Sequence, residues 1–386
     1  MPRQHVLTRL ARHFHVVWCD RPVEWRQAWL GRGPSAGLHR VAQPATPPGF
    51  SLYRPGPWLP RFYRPRALDH FTRARRLDVA QAMLRRRGAR RFILYLWRPD
   101  FDYALDLRPG MTSCYHIDDE FTYSEEDDEY LFSPTEHPLD AREARLIRRV
   151  DEVFIHSRGL WDKKGGLNPH TTFIPNGVDY PAFAAPAPEP PDLRGIPHPR
   201  VGYVGIIKGE LDIPLVAGLA RRHPGWSFVL VGPSRLEGGE ARELGAMAQM
   251  PNVHMLGAKA PGELAAYMQH LDVGLLPYRR IDYTEFIYPM KLHEYLASGC
   301  AVVGTPIRSL QEFGQVITLA SSPDEWSRAL EAAVSPAARG AEAVAKRRGV
   351  AREHDWDRLA DKVAEILLKR LDQPRSTSAT RTASAS

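Results

Sequence analysis

Tyr288-Pro289-Met290-Lys291-Leu292-His293-Glu294-Tyr295-Leu296-Ala297-Ser298-Gly299-Cys300-Ala301-Val302-Val303-Gly304 reads as one helix that feeds straight into a buried strand. A proline suits the first turn of a helix because its missing N–H is unpaired there anyway, and Gly299 can take the left-handed conformation that stops one. Leu292, Tyr295 and Leu296 form an apolar stripe at helical spacing, while Lys291 and Glu294 lie three apart near the helix start. There the unpaired N–H groups already favour anions; a lysine adds to that, and a carboxylate can accept from hydroxyls. The combination suits a sugar nucleotide, but the same spacing suits an ordinary surface salt bridge. The rest of the chain has to choose.

At 386 residues the chain is too long for one ordinary core, so two domains are expected. A formal net charge of +7 favours anionic partners without choosing among phosphates, acidic lipid and nucleic acid. Cys19, Cys114 and Cys300 sit in or beside apolar runs with no paired spacing, and read as buried thiols in a reducing compartment. No apolar stretch approaches the roughly 20 residues of a membrane span, and the first residues lack a signal-peptide core. The expected location is the cytoplasm, with the inner face of the membrane as a surface the protein can touch.

From the N-terminus, His5 to His13 looks helical and His15 to Cys19 reads as a strand. A doubly wound domain normally opens on a strand, so either this one begins at its first helix or the start codon lies upstream. Residues 31–60 read as a long Gly- and Pro-rich loop around a short extended piece, Gly49 to Tyr53. Arg61 to Arg91 is crowded with arginine and periodic in Leu68, Phe71, Leu77 and Leu84, a basic amphipathic helix that can lie on an anionic membrane or present a plain solvated face. Nucleic acid is disfavoured, because no aromatics interleave the arginines and no reader motif is present. Phe92 to Trp97 and Met111 to Ile117 read as buried strands. The second ends in His116-Ile117-Asp118-Asp119-Glu120, where a strand of an open parallel sheet would meet a ligand. His116 could donate to a hydroxyl or phosphate and Asp118 or Asp119 could orient an acceptor hydroxyl; a helix cap explains the carboxylates equally well. The acidic run Glu125 to Glu129 reads as a solvated loop.

After a strand at 152–157, a short helix from Arg158 and the turn Pro175 to Asp179, Pro-rich sequence from Pro181 to Pro199 marks the best domain boundary. The α/β rhythm then restarts. Val201 to Val204 is a strand. Gly205 to Gly209 is a loop carrying Lys208, and Asp212 caps the next helix, which makes a plausible phosphate cradle although there is no complete dinucleotide fingerprint. Strands at 227–231, 253–256, 272–276 and 301–303 follow, with helices at 325–333 and 356–371 and a Ser/Thr/Ala/Arg tail from Gln373 that cannot bury a core.

Five stretches in this order resemble the GT-B glycosyltransferases of the retaining, glycogen-synthase-like and mannosyltransferase-like group. They are Phe173 to Asp179, Val201 to Gly205, Asn252 to Gly257, Asp272 to Tyr278 and Pro289 to Gly304. The resemblance implies an α/β chain of two Rossmann-like domains facing across a cleft: residues 1–178 for the acceptor, 179–350 for the nucleotide sugar, a helix at 351–372 that can pack back on the first domain, and a disordered tail at 373–386. It implies that Glu294 holds the ribose hydroxyls, that Lys208 and Lys291 meet the diphosphate, and that Gly205 lets the phosphates approach. Gly257 and Tyr278 would flank the base, and His116 would stand near the transferred sugar. Three departures bear on the sugar and diphosphate contacts. Ile206 and Ile207 follow Gly205 where the family has an arginine before the lysine, Phe286 stands eight before Glu294 where a glutamate is common, and Ala301 replaces a proline.

The function implied is transfer of a sugar from a nucleotide-diphosphate donor to a hydroxyl of a saccharide or lipid-linked acceptor. Retention, no cofactor and no metal are expected, within cell-surface polysaccharide or glycoconjugate assembly. An epimerase or phosphorylase on the same scaffold, or a non-catalytic nucleotide-sugar-binding protein, are the alternatives.

Overall fold

The computed structural model describes residues 2–30, 47–62, 64–121 and 139–373. The run Glu125 to Glu129, residues 374–386 of the tail and most of the loop from residue 31 lie outside the described residues.

Among the described residues the first half holds two parallel sheets. β1 (Val16–Cys19) pairs with β2 (Phe50–Tyr53), and β3 (Ile93–Leu96), β4 (Thr112–Ile117), β5 (Glu152–Ile155) and β6 (Thr171–Phe173) pair in that order. β4 and β5 are the central strands and their side chains are almost wholly buried, as continuous apolar runs in a sheet covered on both faces should be. Cys114 and Cys300 are buried, whereas Cys19 is exposed; it ends β1, which belongs to the small two-stranded sheet rather than to a central strand. The basic segment folds as a helix over Arg66–Arg86, and one of its arginines, Arg76, turns inward to donate to the carbonyls of Leu59 and Pro60 at 3.0 and 2.8 Å.

The second half is a single six-stranded parallel sheet: β7 (Arg200–Val204), β8 (Ser227–Val231), β9 (Val253–Gly257), β10 (Val273–Leu276), β11 (Ala301–Gly304) and β12 (Thr318–Leu319), in the spatial order β12-β11-β10-β7-β8-β9. That order is doubly wound, and it reverses between β7 and β10. The quoted helix spans Met290–Ser298, with Pro289 one place before it and Gly299 closing it at φ 81°. A later helix, Ala341–Glu353, lies against it, and buried Arg347 donates to the Gly299 carbonyl at 3.1 and 2.9 Å, satisfying an end group that the helix leaves open.

The chain passes between the halves twice, and the two crossings touch. Val178 N–H donates to His354 O, and Trp356 N–H returns to Val178 O, both at 3.0 Å. Gly177 has no room for a side chain, because a Cβ would run into the His354 carbonyl. Beyond this crossing the helix Trp356–Asp372 packs on the first half, where Trp356, Leu359, Val363 and Leu367 share one core with Val6, Leu7, Leu10, Cys114 and Phe154.

Candidate active site

Ligands of open α/β sheets gather beyond the carboxyl ends of the strands where the order reverses. In the second half that crevice is bounded by the loops after β7 and β10. Gly205 follows β7 at φ 148°, a conformation that excludes ordinary side chains. A Cβ there would strike Lys291 Cε, so the Lys291 side chain lies directly over the Gly205 backbone. Its ammonium stands 5.4 Å from the Tyr203 ring centroid. Glu294 sits half-buried on the same helix, and burial raises its carboxyl pKa against the opposing pull of Lys291. The loop is braced from beneath: Val204 N–H donates to Tyr295 Oη at 2.8 Å, Gly205 N–H to Val231 O at 2.7 Å, and Gly232 N–H to Gly257 O at 2.8 Å. Gly232, at φ 139°, packs so closely on the Gly205 carbonyl that it admits no side chain. Gly205, Lys291 and Glu294 therefore form one group, and Gly257 borders it at the end of β9 with open space above its Cα.

Tyr278 lies beneath this group rather than in the open. It is buried, and its phenol pKa is pushed far up by burial and by neighbouring Tyr203, while Lys291 pulls it down. Lys208 lies on the loop after β7 and faces the first half. It stands 3.9 Å from Glu210 and its charge reaches Asp119 of the other half.

On the first half, His116 is not exposed at the strand end. It is buried within an aromatic stack, 4.1 Å from the Trp97 ring and 2.9 Å from Tyr95 Oη through Nδ1, and burial holds its imidazole neutral, with a pKa well below its ordinary value. A side chain at the penultimate position of β4 still points into the layer that packs on the sheet. His156, just past the end of β5, is likewise buried, with Nδ1 3.0 Å from Ile117 O.

Asp119 faces the other half, meeting Tyr283 and the charge of Lys208, whereas the adjacent Asp118 side chain is almost buried. Asp118 Oδ2 accepts from Arg3 Nε at 3.0 Å, and its buried Oδ1 has no hydrogen-bond partner among the described residues. Trp97 Nε1 is likewise buried without one. Asp119 has its pKa raised to about 6, first by burial and then by the adjacent Asp118, while the Glu120 N–H at 2.8 Å, a hydrogen bond with Tyr283 and the charge of Lys208 oppose the rise. A carboxylate kept ionised against that cost, beside an unpartnered carboxylate oxygen, is equipped to accept hydrogen bonds from hydroxyls. Arg3, Trp97 and Tyr283 were not identified from sequence. Arg3 and Tyr283 lie on a helix and a loop whose approach to Asp118 and Asp119 only the fold creates.

Residues 211–336 match the family model described as glycosyl transferases group 1. Over 232 residues the chain is 32% identical to a Bacillus subtilis (strain 168) protein named "Putative teichuronic acid biosynthesis glycosyltransferase TuaH"; the match covers 57% of this chain and 57% of that protein, so the chain spans little more than half the length of this curated relative. Among solved structures, sucrose-phosphate synthase from Thermosynechococcus elongatus superposes with a TM-score of 0.67 at 18% identity, over 95% of this chain and 92% of that one. A trehalose-6-phosphate synthase analysed with bisubstrate glycomimetics for glycosyl transfer with retention superposes at 0.61 and 15%, over 94% and 99%. The chain thus has the α/β GT-B fold, with two Rossmann-like halves, and its residues 211–336 are similar to the group 1 glycosyltransferases.

Proposed function

We propose that this chain is a glycosyltransferase that moves a sugar from a nucleotide-diphosphate donor to a hydroxyl of a saccharide or lipid-linked acceptor, with retention and without a metal or other cofactor. The observation that carries the reading is the Gly205–Lys291–Glu294 group at the reversal of the second sheet. A bare backbone under an ammonium accepts a diphosphate closely, and a half-buried carboxylate one turn along the helix accepts from ribose hydroxyls. As the glycosidic bond breaks, negative charge grows on the departing phosphate, and Lys291, with Lys208 reaching in from the cleft, stabilises it. Asp118 and Asp119, on the opposite wall, orient the acceptor hydroxyl. The departing phosphate takes the acceptor's proton, so no protein nucleophile is needed.

The relative's name places that protein in teichuronic acid biosynthesis, which supports a cell-surface polysaccharide or glycoconjugate as the product class here. Among the described residues no helix is long and apolar enough to cross a membrane. A lipid-linked acceptor would instead be met at the surface, in the cytoplasm at the inner face, by the Arg66–Arg86 helix, where Phe71, Leu68 and Val79 are exposed beside Arg75, Arg85 and Arg86. Sedimentation with anionic liposomes at low and high salt tests this contact, and absence of binding at low salt removes it.

The test of the transfer itself is product analysis after incubation with UDP-, GDP-, ADP- and dTDP-sugars and a cell-envelope saccharide fraction. Transfer with the donor's anomeric configuration kept is expected. Isomerised sugar in the absence of any acceptor would favour an epimerase, and inverted product would remove retention.

A further inference from the structure

The loop between β10 and the Met290–Ser298 helix belongs to the donor half, yet it is docked on the acceptor half. Its segment Asp282–Glu285 is a single tight turn, and the chain at Glu285 and Phe286 lies on the helix Arg158–Lys164. That helix is started by Ser157, whose hydroxyl accepts from Leu160 N–H at 3.3 Å, and its second residue is Gly159. Gly159 permits the docking. A Cβ there would run into the Glu285 carbonyl and come within 3.2 Å of the Phe286 ring. The Phe286 side chain packs against the first-half core around Ile117, Ile155 and Leu160. Close by, Arg308 pairs with Asp162, and Arg158 stands 3.6 Å from Glu312, so the contact between the halves continues along this helix.

Two routes lead from this loop to Asp119. One is direct, the hydrogen bond with Tyr283. The other runs through charge. The Lys163 ammonium lies 5.5 Å from the Phe286 ring centroid and 3.1 Å from Glu120 Oε2. Glu120 is completely buried. Its other oxygen is 3.1 Å from Lys164 Nζ, which also meets Glu143 at 2.7 Å, and Glu143 accepts from Tyr115 Oη at 2.8 Å. The backbone N–H of Glu120 donates to Asp119 Oδ1. A buried carboxylate held by two lysines fixes its own backbone, and with it the carboxylate that its N–H holds.

We infer that Phe286 and Tyr283 form a strap from the donor half that positions Asp119, Tyr283 directly and Phe286 through Lys163 and Glu120, so that the acceptor wall is set only when the donor loop is docked. This rests on the function proposed above. It also gives the sequence departure at position 286 a structural role, because an aromatic ring there packs on the first-half core as a glutamate could not.

The test is hydrogen exchange of residues 117–121 in the full chain, in wild type and in Phe286→Ala, Phe286→Leu, Phe286→Tyr and Lys163→Met. Exchange at least tenfold faster in Phe286→Ala and Lys163→Met is expected, with β7, β8 and β9 unchanged. Phe286→Leu, which keeps apolar volume but offers no ring to Lys163, should also exchange faster, and Phe286→Tyr should restore protection. Thermal shifts caused by UDP, GDP, ADP and dTDP should match wild type in every variant, since Gly205, Lys291 and Glu294 are untouched. Unchanged exchange in Phe286→Ala and Lys163→Met overturns the inference, as does faster exchange in Phe286→Ala that Leu and Tyr rescue equally, because that is loss of packing alone. If Phe286→Ala loosens the whole fold, Leu, Tyr and Lys163→Met decide. Failure of wild type to transfer from any donor would sink the proposed function and leave the exchange result standing on its own.

Discussion

Replacing Asp119 with Asn should make the protein more stable and less active, and the size of the first effect follows from the site. The Asp119 carboxyl pKa is raised from 3.8 to about 6. Below about pH 4 it is protonated in both folded and unfolded chains and contributes nothing. Between about 4 and 6 the unfolded chain ionises first, so stability falls as pH rises, and above about 6 the full cost remains. A shift of roughly 2 units at about 1.4 kcal/mol each costs ~3 kcal/mol at pH 8. Asn keeps an oxygen that can accept from the Glu120 N–H and from Tyr283 while removing the charge, so Asp119→Asn should recover up to that amount. For a half of this size it corresponds to a rise in Tm of about 6–12 °C at pH 8, shrinking toward zero at pH 4. Thermal melts of both proteins across that range, with sugar transfer measured alongside, are the assay. Wild-type turnover should fall as pH drops through about 6, and Asp119→Asn should be impaired at every pH. A variant no more stable than wild type at pH 8, or one that transfers normally, would refute the idea that Asp119 is held ionised for function.

Gly205→Ala should displace Lys291 and strain a backbone at φ 148°, weakening nucleotide binding at least tenfold and costing about 1–3 kcal/mol of stability; calorimetric titration and a melt check both. Gly177→Ala should lower Tm by several degrees by forcing apart the two crossings between the halves, without touching the Lys291–Glu294 group, so a variant with unchanged Tm would contradict the described packing at His354. Arg3→Ala removes the described partner of a nearly buried carboxylate and should cost about 1–3 kcal/mol, read from the melt at pH 7, with Arg3→Lys recovering part of the loss.

The second sheet was legible because each of its main strands is a short apolar run ended by Gly or Pro, and such runs need no distant partner to be recognised. The Met290–Ser298 helix was legible for the same local reason, Pro before it and Gly after it. Besides several helices of four or five residues, two longer ones escaped. Gly238–Met247 opens with two glycines and buries only Leu244 and Met247, while Ala341–Glu353 carries Gly349 and several basic residues and buries only Arg347 and Ala351. Their stability comes from what they pack on, which local pattern does not reveal. At the site, Gly205, Lys291 and Glu294 could be read from one loop and one helix. On the acceptor wall Asp118 and Asp119 could be named, but not the residues that meet them. Arg3, Tyr283 and Asp119 come from three distant parts of the chain, and His116 looked functional because its place at a strand end was visible while the aromatic stack around it was not.

The central claim is that the Gly205–Lys291–Glu294 group binds a nucleotide-diphosphate sugar. Thermal-shift titration of wild type and Glu294→Ala with UDP-, GDP-, ADP- and dTDP-sugars tests it most directly, because a ligand that binds only the folded chain raises its apparent stability. The account predicts that at least one of them raises the Tm of wild type in a saturable way and that Glu294→Ala needs at least tenfold more for the same rise. No shift with any of the four, or equal shifts in both proteins, would contradict it.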